Sequence, residues 1–193
     1  MSGGPPALIL ASASPRRLDL LAQIGVVPDD ARAPEIDETP QRHELPRPLA
    51  LRLARAKAAS VAAPGAFVLA ADTVVAAGRR ILPKAEREDE ARACLALLSG
   101  RRHRVLTAVV LRAPDGRQAE RVVESAVTFA RLSAPQTEAY LASGEWRGKA
   151  GGYAIQGRIA AHVRALSGSY SGVVGLPLFE TAQLLRGLGY PLP

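Results

Sequence analysis

Residues Leu8–Gly25 read LILASASPRRLDLLAQIG, and the fold turns on how this stretch divides. Its apolar start, Ala7–Leu10, has the character of a buried strand. Ser14 is a good N-cap and Pro15 suits the first helical position, so a helix is expected from Pro15 to about Ile24, with Gly25 as its stop. Leu18, Leu21 and Ile24 fall on one face of it, with Leu20 beside them. Arg16 and Arg17 break the local rule. The first turn of a helix presents unpaired N–H groups and the positive end of the dipole, so an anion belongs there rather than two cations. Either these are exposed surface arginines, or an anion is meant to sit among them.

Working outward, Ala31–Leu45 is rich in proline and partly acidic ("APEIDETP"), which reads as an extended loop. A helix rich in Ala, Leu and Arg is expected from about Pro48 to Ala63, broken by Pro64-Gly65. "AFVLAADTVV" is a continuous apolar run, the pattern of a strand buried on both faces. "AEREDEARACLALLSG" is a helix with an acidic first turn, an apolar face at Ala91, Cys94, Leu95 and Leu98, and a glycine after its end. "HRVLTAVVLRA" and "RQAERVVESAVTFARL" flank "PDG" and predict a hairpin. Ser133 and Pro135 introduce a helix through about Ala142. "SGEWRGKAGGYAIQGR" is loop-like, "AAHVRAL" a short strand and "LPLFETAQLLRGLG" a final helix. Strands and helices alternate until the hairpin intrudes, so the expected fold class is α/β, a mixed twisted sheet flanked by helices. Residues 1–6 are expected as a flexible N-terminus and residues 7–193 as a single domain.

A length of 193 residues, 48% hydrophobic and 22% charged, suits a globular domain with a real core. No apolar run approaches membrane-spanning length. "MSGGPP" lacks the basic-then-apolar order of a signal segment, so a cytoplasmic protein is expected. The lone cysteine, Cys94, excludes an internal disulfide and a Cys-rich zinc site, and its apolar setting reads as an inert core thiol. A net charge of +7 suits a polyanionic partner without choosing among nucleic acid, nucleotide and anionic lipid. At 4% aromatics, a stacking platform for single-stranded nucleic acid has little to work with.

Ligands in open α/β sheets gather at the carboxyl ends of strands and the amino ends of helices. Ser12, in the strand-to-helix turn, and Arg16 and Arg17 would together offer a hydroxyl and two guanidiniums to an anion. Asp72, expected at the end of its strand, either caps the next turn or holds a divalent cation or activates a water. Glu38, in "EIDE", is a solvated loop acid or a second oxygen ligand or base. Lys57 interrupts an Ala-rich helix and Lys84 follows a proline; each is either a surface solubiliser or a long-reach neutraliser of phosphates. A cationic cradle with acidic residues is the charge pattern of a triphosphate–Mg²⁺ site. There is no P-loop signature and no GxGxxG after a strand. His43, His103 and His162 have no metal-ligand spacing, which leaves them solvated or packing roles.

"LASASPRRLDLLAQIG", "LALRLARAKA", "VLAADTVV", "LLSGRRHRVLTAV", "GKAGGYAIQG" and "GSYSGVVGLPLFET" together resemble the Maf family of nucleoside triphosphate pyrophosphatases, in register from Leu10 to Thr181. The resemblance implies an elongated α/β fold related to the inosine-triphosphate pyrophosphatases, often a homodimer. It implies a cytoplasmic house-cleaning enzyme dependent on Mg²⁺, with Mn²⁺ or Co²⁺ as alternatives, that cleaves nucleotides between the α and β phosphates. It assigns Ser12, Arg16, Arg17, Lys57 and Lys84 to the substrate phosphates, Asp72 to catalysis, Glu38 to an acidic position at the same site, and Gln156 to the glutamine of "AIQG". "ADT", "IQG" and "GSY" match the dTTP/UTP branch rather than the 7-methyl-GTP branch, making Thr73 and Gln156 the expected readers of the pyrimidine. Two departures stand out: Pro83-Lys84-Ala85 replaces a frequent "GKP", altering the expected backbone at Lys84. Gly172 replaces a frequent asparagine, an expected loosening of that loop. A 7-methyl-GTP pyrophosphatase, or a septum-related regulatory or nucleic-acid-binding protein without hydrolytic activity, is the alternative.

Overall fold

The computed structural model describes residues 6–192; the rest of the expected flexible start, residues 1–5, lies outside them, as does Pro193. The expected strand and helix form as β1 (Leu8–Ala11) and α1 (Pro15–Gln23). Gly25, at φ 70°, donates its N–H to Ala22 O and Val26 donates to Leu21 O, the paired bonds of a Schellman stop. The buried face of α1 differs from expectation. Leu18 is exposed, and the inward stripe is Arg17, Leu20, Leu21 and partly buried Ile24, spaced i, i+3, i+4, i+7. Arg17 therefore occupies a core-facing position.

After β2 (Asp30–Ala31), residues 32–45 carry no regular structure, as expected of the proline-rich segment. α2 (Pro46–Ser60) starts two residues before the expected Pro48 and ends before Ala63. Pro46 takes the first helical position, and Val61 is already extended three residues ahead of Pro64, which has no N–H with which to continue the helix. Its buried stripe is Leu49, Ala50, Leu53, Ala54, Lys57 and Ala58. β3 (Phe67–Ala77) leads through the short β4 (Arg80–Leu82) and β5 (Lys84–Ala85) to α3 (Glu88–Leu98). The hairpin forms as β6 (Arg102–Arg112) and β7 (Gln118–Phe129), and α4 (Ala134–Ser143) carries a Ser133 capping box. β8 (Lys149–Ala150), a 3₁₀ turn (Arg158–His162), β9 (Val163–Ser167), α5 (Tyr170–Val174) and α6 (Leu178–Leu188) complete the chain.

The main sheet has seven strands in the order β2-β1-β3-β6-β7-β9, with β4 added on β3. β1 is parallel to β2 and β3, and every later pairing is antiparallel, so the sheet is mixed as expected. Alternation sorts the long strands onto two covered faces. Val68, Ala70, Val74, Leu106, Ala108 and Val110 pack against α2. Phe67, Leu69, Ala71, Val109 and Leu111 pack with Leu20 and Leu21 of α1 and Leu184 and Leu185 of α6. A third cluster gathers α3, α4, Trp146 and Phe129, and contains Cys94. Burial pushes the Cys94 thiol above its ordinary value, in keeping with an inert core thiol.

The glycine-rich segment read as a loop is more ordered than that. β8 pairs antiparallel with β5, matching Lys84 to Ala150 and Ala85 to Lys149. Gly151, at φ 68°, lies so close to β3 that a Cβ there would stand 2.7 Å from Val75 Cγ1. The altered motif Pro83-Lys84-Ala85 thus contributes a strand of this small ladder. Nor is the segment at Gly172 loose: it is helical in α5, with Ser169 Oγ accepting from Gly172 N at 2.9 Å.

Candidate active site

The sheet has a notch on one side of β3. β1 pairs with β3 only as far as Ala70, and β4 begins its pairing at Val75, whereas β6 runs alongside throughout. Among the described residues, 71–74 therefore have a neighbouring strand on one side only. Asp72 does not end its strand as expected; β3 runs on to Ala77, and it is the adjacent β1 that stops. Asp72 shares a face with Val68, Ala70 and Val74, the face covered by α2. Lys57, on the buried stripe of α2, meets it there.

Lys57 Nζ lies 2.6 Å from Asp72 Oδ1 and 2.6 Å from Glu38 Oε1, while Glu38 Oε2 accepts from Lys84 Nζ. Asp72 is 2% exposed and Lys57 5%. Burial works to raise the Glu38 carboxyl, but the hydrogen bonds and charges of Lys57 and Lys84 outweigh it and hold it below the usual glutamate value. The loop that brings Glu38 is anchored on α2: Arg52 donates to both carboxylate oxygens of Glu44 at 2.8 Å and to Thr39 O at 3.0 Å.

On the opposite wall, Ser12 follows directly on β1, and its Oγ accepts from Ser14 N at 3.1 Å and Arg17 Nη1 at 2.9 Å. Arg17 Nε donates to Gly175 O at 2.8 Å and Arg16 Nε to Val174 O at 3.4 Å. Burial lowers both guanidiniums from the ordinary arginine value, an effect that Asp72 offsets and Arg16 reinforces at Arg17. Both remain cations at neutral pH.

Thr73 points to the other face of β3, where its hydroxyl lies 3.0 Å from that of Thr107, and Thr107 donates to Gly172 O at 2.7 Å. With the Thr107 proton so committed, Thr73 is the donor of the pair, and its own oxygen stays free to accept from a ligand. Gln156 is exposed at the cleft wall.

These side chains line one cleft of ≈ 380 Å³ that includes Ser12, Arg16, Arg17, Glu38, Lys57, Asp72, Thr73, Lys84 and Gln156. The structure thus brings together every side chain that the sequence suggested for the site. It adds Lys149, on the β5–β8 ladder, whose amine is lowered from its ordinary value by burial and then by the charge of Arg16. The signal for Lys149 was present in "GKAGG", yet a lysine within a glycine-rich run has no periodicity to set it apart. Among the described residues five cations and two carboxylates face the cleft, so it is built for a multiply charged anion.

The carboxylates also suit a divalent cation. Two hard oxygens converge on one point, the donor type that Mg²⁺ accepts alongside phosphate and water oxygens. Among the described residues no three or more His, Cys, Asp or Glu side chains cluster to form a fuller cage.

A family model described as "Maf-like protein" matches residues 7–188. The dTTP/UTP pyrophosphatase of Gluconobacter oxydans is 66% identical over 189 residues, which cover 94% of this chain and 87% of that protein. The dTTP/UTP pyrophosphatase of Caulobacter vibrioides is 64% identical over 192 residues, covering 98% and 99%. Among solved structures, a nucleoside-triphosphatase / dITP/XTP pyrophosphatase from Mycobacterium abscessus aligns with a TM-score of 0.43 and 21% identity, over 66% of this chain and 75% of that one. With the match spanning nearly the whole chain, from β1 to the end of α6, the protein belongs to the Maf family.

Proposed function

We propose that this protein is a nucleoside triphosphate pyrophosphatase that hydrolyses dTTP and UTP, and modified pyrimidine nucleotides, to the monophosphate and pyrophosphate. The observation that carries the reading is the buried Asp72–Lys57–Glu38 bridge, set in the notch of β3 and facing a cleft with surplus positive charge. The relatives' activity supports the substrate class.

In this reading Arg16, Arg17, Lys57 and Lys84 take the triphosphate, with the Ser12 hydroxyl adding a contact. Asp72 is the general base, with Glu38 as second choice. A water oxygen bonds to the α-phosphorus as the bond to the α–β bridging oxygen breaks. The water's proton passes to the carboxylate, and pyrophosphate leaves among the cationic side chains. In the nucleotide-free cleft Lys57 holds the Asp72 carboxylate in place. A divalent cation, Mg²⁺ or else Mn²⁺ or Co²⁺, would be held by Asp72 and Glu38 and would neutralise developing phosphate charge. Thr73 and Gln156 face the pyrimidine, which offers both N–H and carbonyl groups to an amide and a hydroxyl.

Pyrophosphate release from a panel of UTP, dTTP, 5-methyl-UTP, CTP and 7-methyl-GTP with Mg²⁺ is the test. The uracil and thymine nucleotides should turn over fastest. Preference for 7-methyl-GTP would overturn the specificity, and DNA binding without any hydrolysis would overturn the enzyme. No helix among the described residues is long and apolar enough to cross a membrane. The same reading places residues 7–193 in one catalytic domain, in a cytoplasmic homodimer, the latter checked by analytical ultracentrifugation.

A further inference from the structure

Lys57 stands where a metal would be wanted. Its Nζ is 2.6 Å from a carboxylate oxygen of Asp72 and 2.6 Å from one of Glu38, the only two acidic side chains lining the cleft among the described residues. Its stem is packed in the Ala-rich stripe of α2, which leaves Lys57 as a whole 5% exposed, with its ammonium between the two carboxylates. A divalent cation bridging the two carboxylates would compete for the same space and the same lone pairs. It would also approach through the field of Arg16, Arg17, Lys84 and Lys149, which together with Lys57 outnumber the two carboxylates. Two carboxylates satisfy only part of the coordination shell of Mg²⁺, which leaves the remaining positions to phosphate and water oxygens.

We propose that Lys57 is a placeholder for the divalent cation: in the free protein its ammonium neutralises Asp72 and Glu38, and the cation enters only together with the nucleotide's phosphates. The proposal rests on the triphosphate reading of the cleft and assigns Lys57 a second role. With a metal-bound triphosphate in the cleft, Asp72 and Glu38 would hold the metal through the oxygens that Lys57 occupies in the free protein, and the released ammonium turns to the phosphate chain. The exchange conserves charge pairing at each stage. The carboxylates pass from one cation to another, while Lys57 passes from one set of oxygen anions to another. It also keeps the carboxylate pair from trapping metal ions when no substrate is present.

The test is Mn²⁺ binding, followed by electron paramagnetic resonance on the protein without nucleotide. Wild type should leave the free-ion signal close to that of buffer. Lys57→Met should take up one Mn²⁺ per chain, with affinity raised more than about tenfold by loss of a like charge at contact distance. Lys57→Met/Glu38→Gln should return to the wild-type level, which identifies the carboxylate pair as the site. Stoichiometric Mn²⁺ binding by nucleotide-free wild type, as tight as in Lys57→Met, would overturn the proposal whether or not the variants fold. So would uptake by Lys57→Met that survives the Glu38 change. If Lys57→Met fails to fold by circular dichroism, Lys57→Gln takes its place in the same comparison. Calorimetric titration of wild type with α,β-methylene-dUTP, in Mn²⁺ and in chelator, keeps the two readings apart. No binding in either condition would sink the nucleotide reading, whereas equal affinity in both would sink coupled metal entry alone.

Discussion

A guanidinium buried without a carboxylate partner needs neutral acceptors, and Arg17 has two of them, Gly175 O and Ser12 Oγ. These contacts join the start of α1 to the segment between α5 and α6, so Arg17 has a structural duty that Arg16, half-buried and 3.4 Å from Val174 O, carries only weakly. The two arginines should therefore separate on mutation. Arg17→Ala strands the buried Gly175 carbonyl and leaves the Ser12 oxygen with Ser14 N alone, which costs about 1–3 kcal/mol; urea denaturation should show that loss together with a raised KM and lowered kcat for dTTP. Arg16→Ala should raise KM while changing stability by no more than about 0.5 kcal/mol. Asp72→Asn keeps the shape of the side chain but removes the base and half of the charge facing Lys57. Its kcat should fall on the order of 10²–10⁴-fold, measured by pyrophosphate release; near-native turnover would hand the base role to another group. The sequence exposed this pair of arginines because they contradict helix electrostatics. It did not reveal which one is buried, since Leu18-Leu21-Ile24 and Arg17-Leu20-Leu21-Ile24 both satisfy helical spacing. A core-facing arginine is chosen only by what lies across from it, here a carbonyl some 158 residues away in sequence.

At the scale of elements, long periodic segments were legible and short pairings were not. β3, the β6–β7 hairpin and α3 carry their own hydrophobic pattern, and each forms there, although β3 runs on past Asp72 to Ala77. β5 and β8 are two residues each, and their ladder joins parts of the chain with nothing local in common. What holds the ladder is packing against β3. Gly151 stands beside Val75, and Gly151 N donates to Pro83 O at 2.9 Å. Gly151→Ala adds a methyl 2.7 Å from Val75 Cγ1 at a φ of 68°, a combined strain and overpacking that should cost about 1–3 kcal/mol. Because Lys84 and Lys149 sit on this ladder, KM should rise along with the loss of thermal stability. Gly151→Ala/Val75→Ala should recover part of the KM change, since the clash is relieved while the backbone strain stays. Failure to recover any of it would mean that the ladder is positioned by something other than contact with β3.

Over the whole molecule, the site depends on two differently covered faces of one sheet meeting at the notch in β3. Asp72 and Lys57 come from the α2 side and Thr73 from the other, so no single segment of sequence contains the constellation. Beyond the notch lies the third cluster, where Tyr153, a residue of the cleft wall, donates to or accepts from His103 Nε2 at 2.8 Å and packs edge-on against Phe129. The sequence left His103 between a solvated and a packing role; at 1% exposure it is packing. Burial lowers its pKa from 6.5 to about 4, so the folded protein excludes a proton that the unfolded chain binds readily. The stabilisation from keeping this imidazole neutral is complete above the unfolded value and is lost as pH falls from 6.5 toward about 4. Carboxylates such as Glu38, held below the usual range by their partners, lose their contribution only at lower pH. The upper part of the acid limb therefore belongs to His103. Stability measured by urea denaturation should drop by roughly 2 kcal/mol between neutral pH and about pH 5 from this group. His103→Gln, which can keep a hydrogen bond to the Tyr153 hydroxyl but does not titrate, should flatten that part of the profile and leave the steeper loss at lower pH in place. An unchanged slope in the variant would assign the acid sensitivity to other groups and leave the His103–Tyr153 contact as packing without a titration.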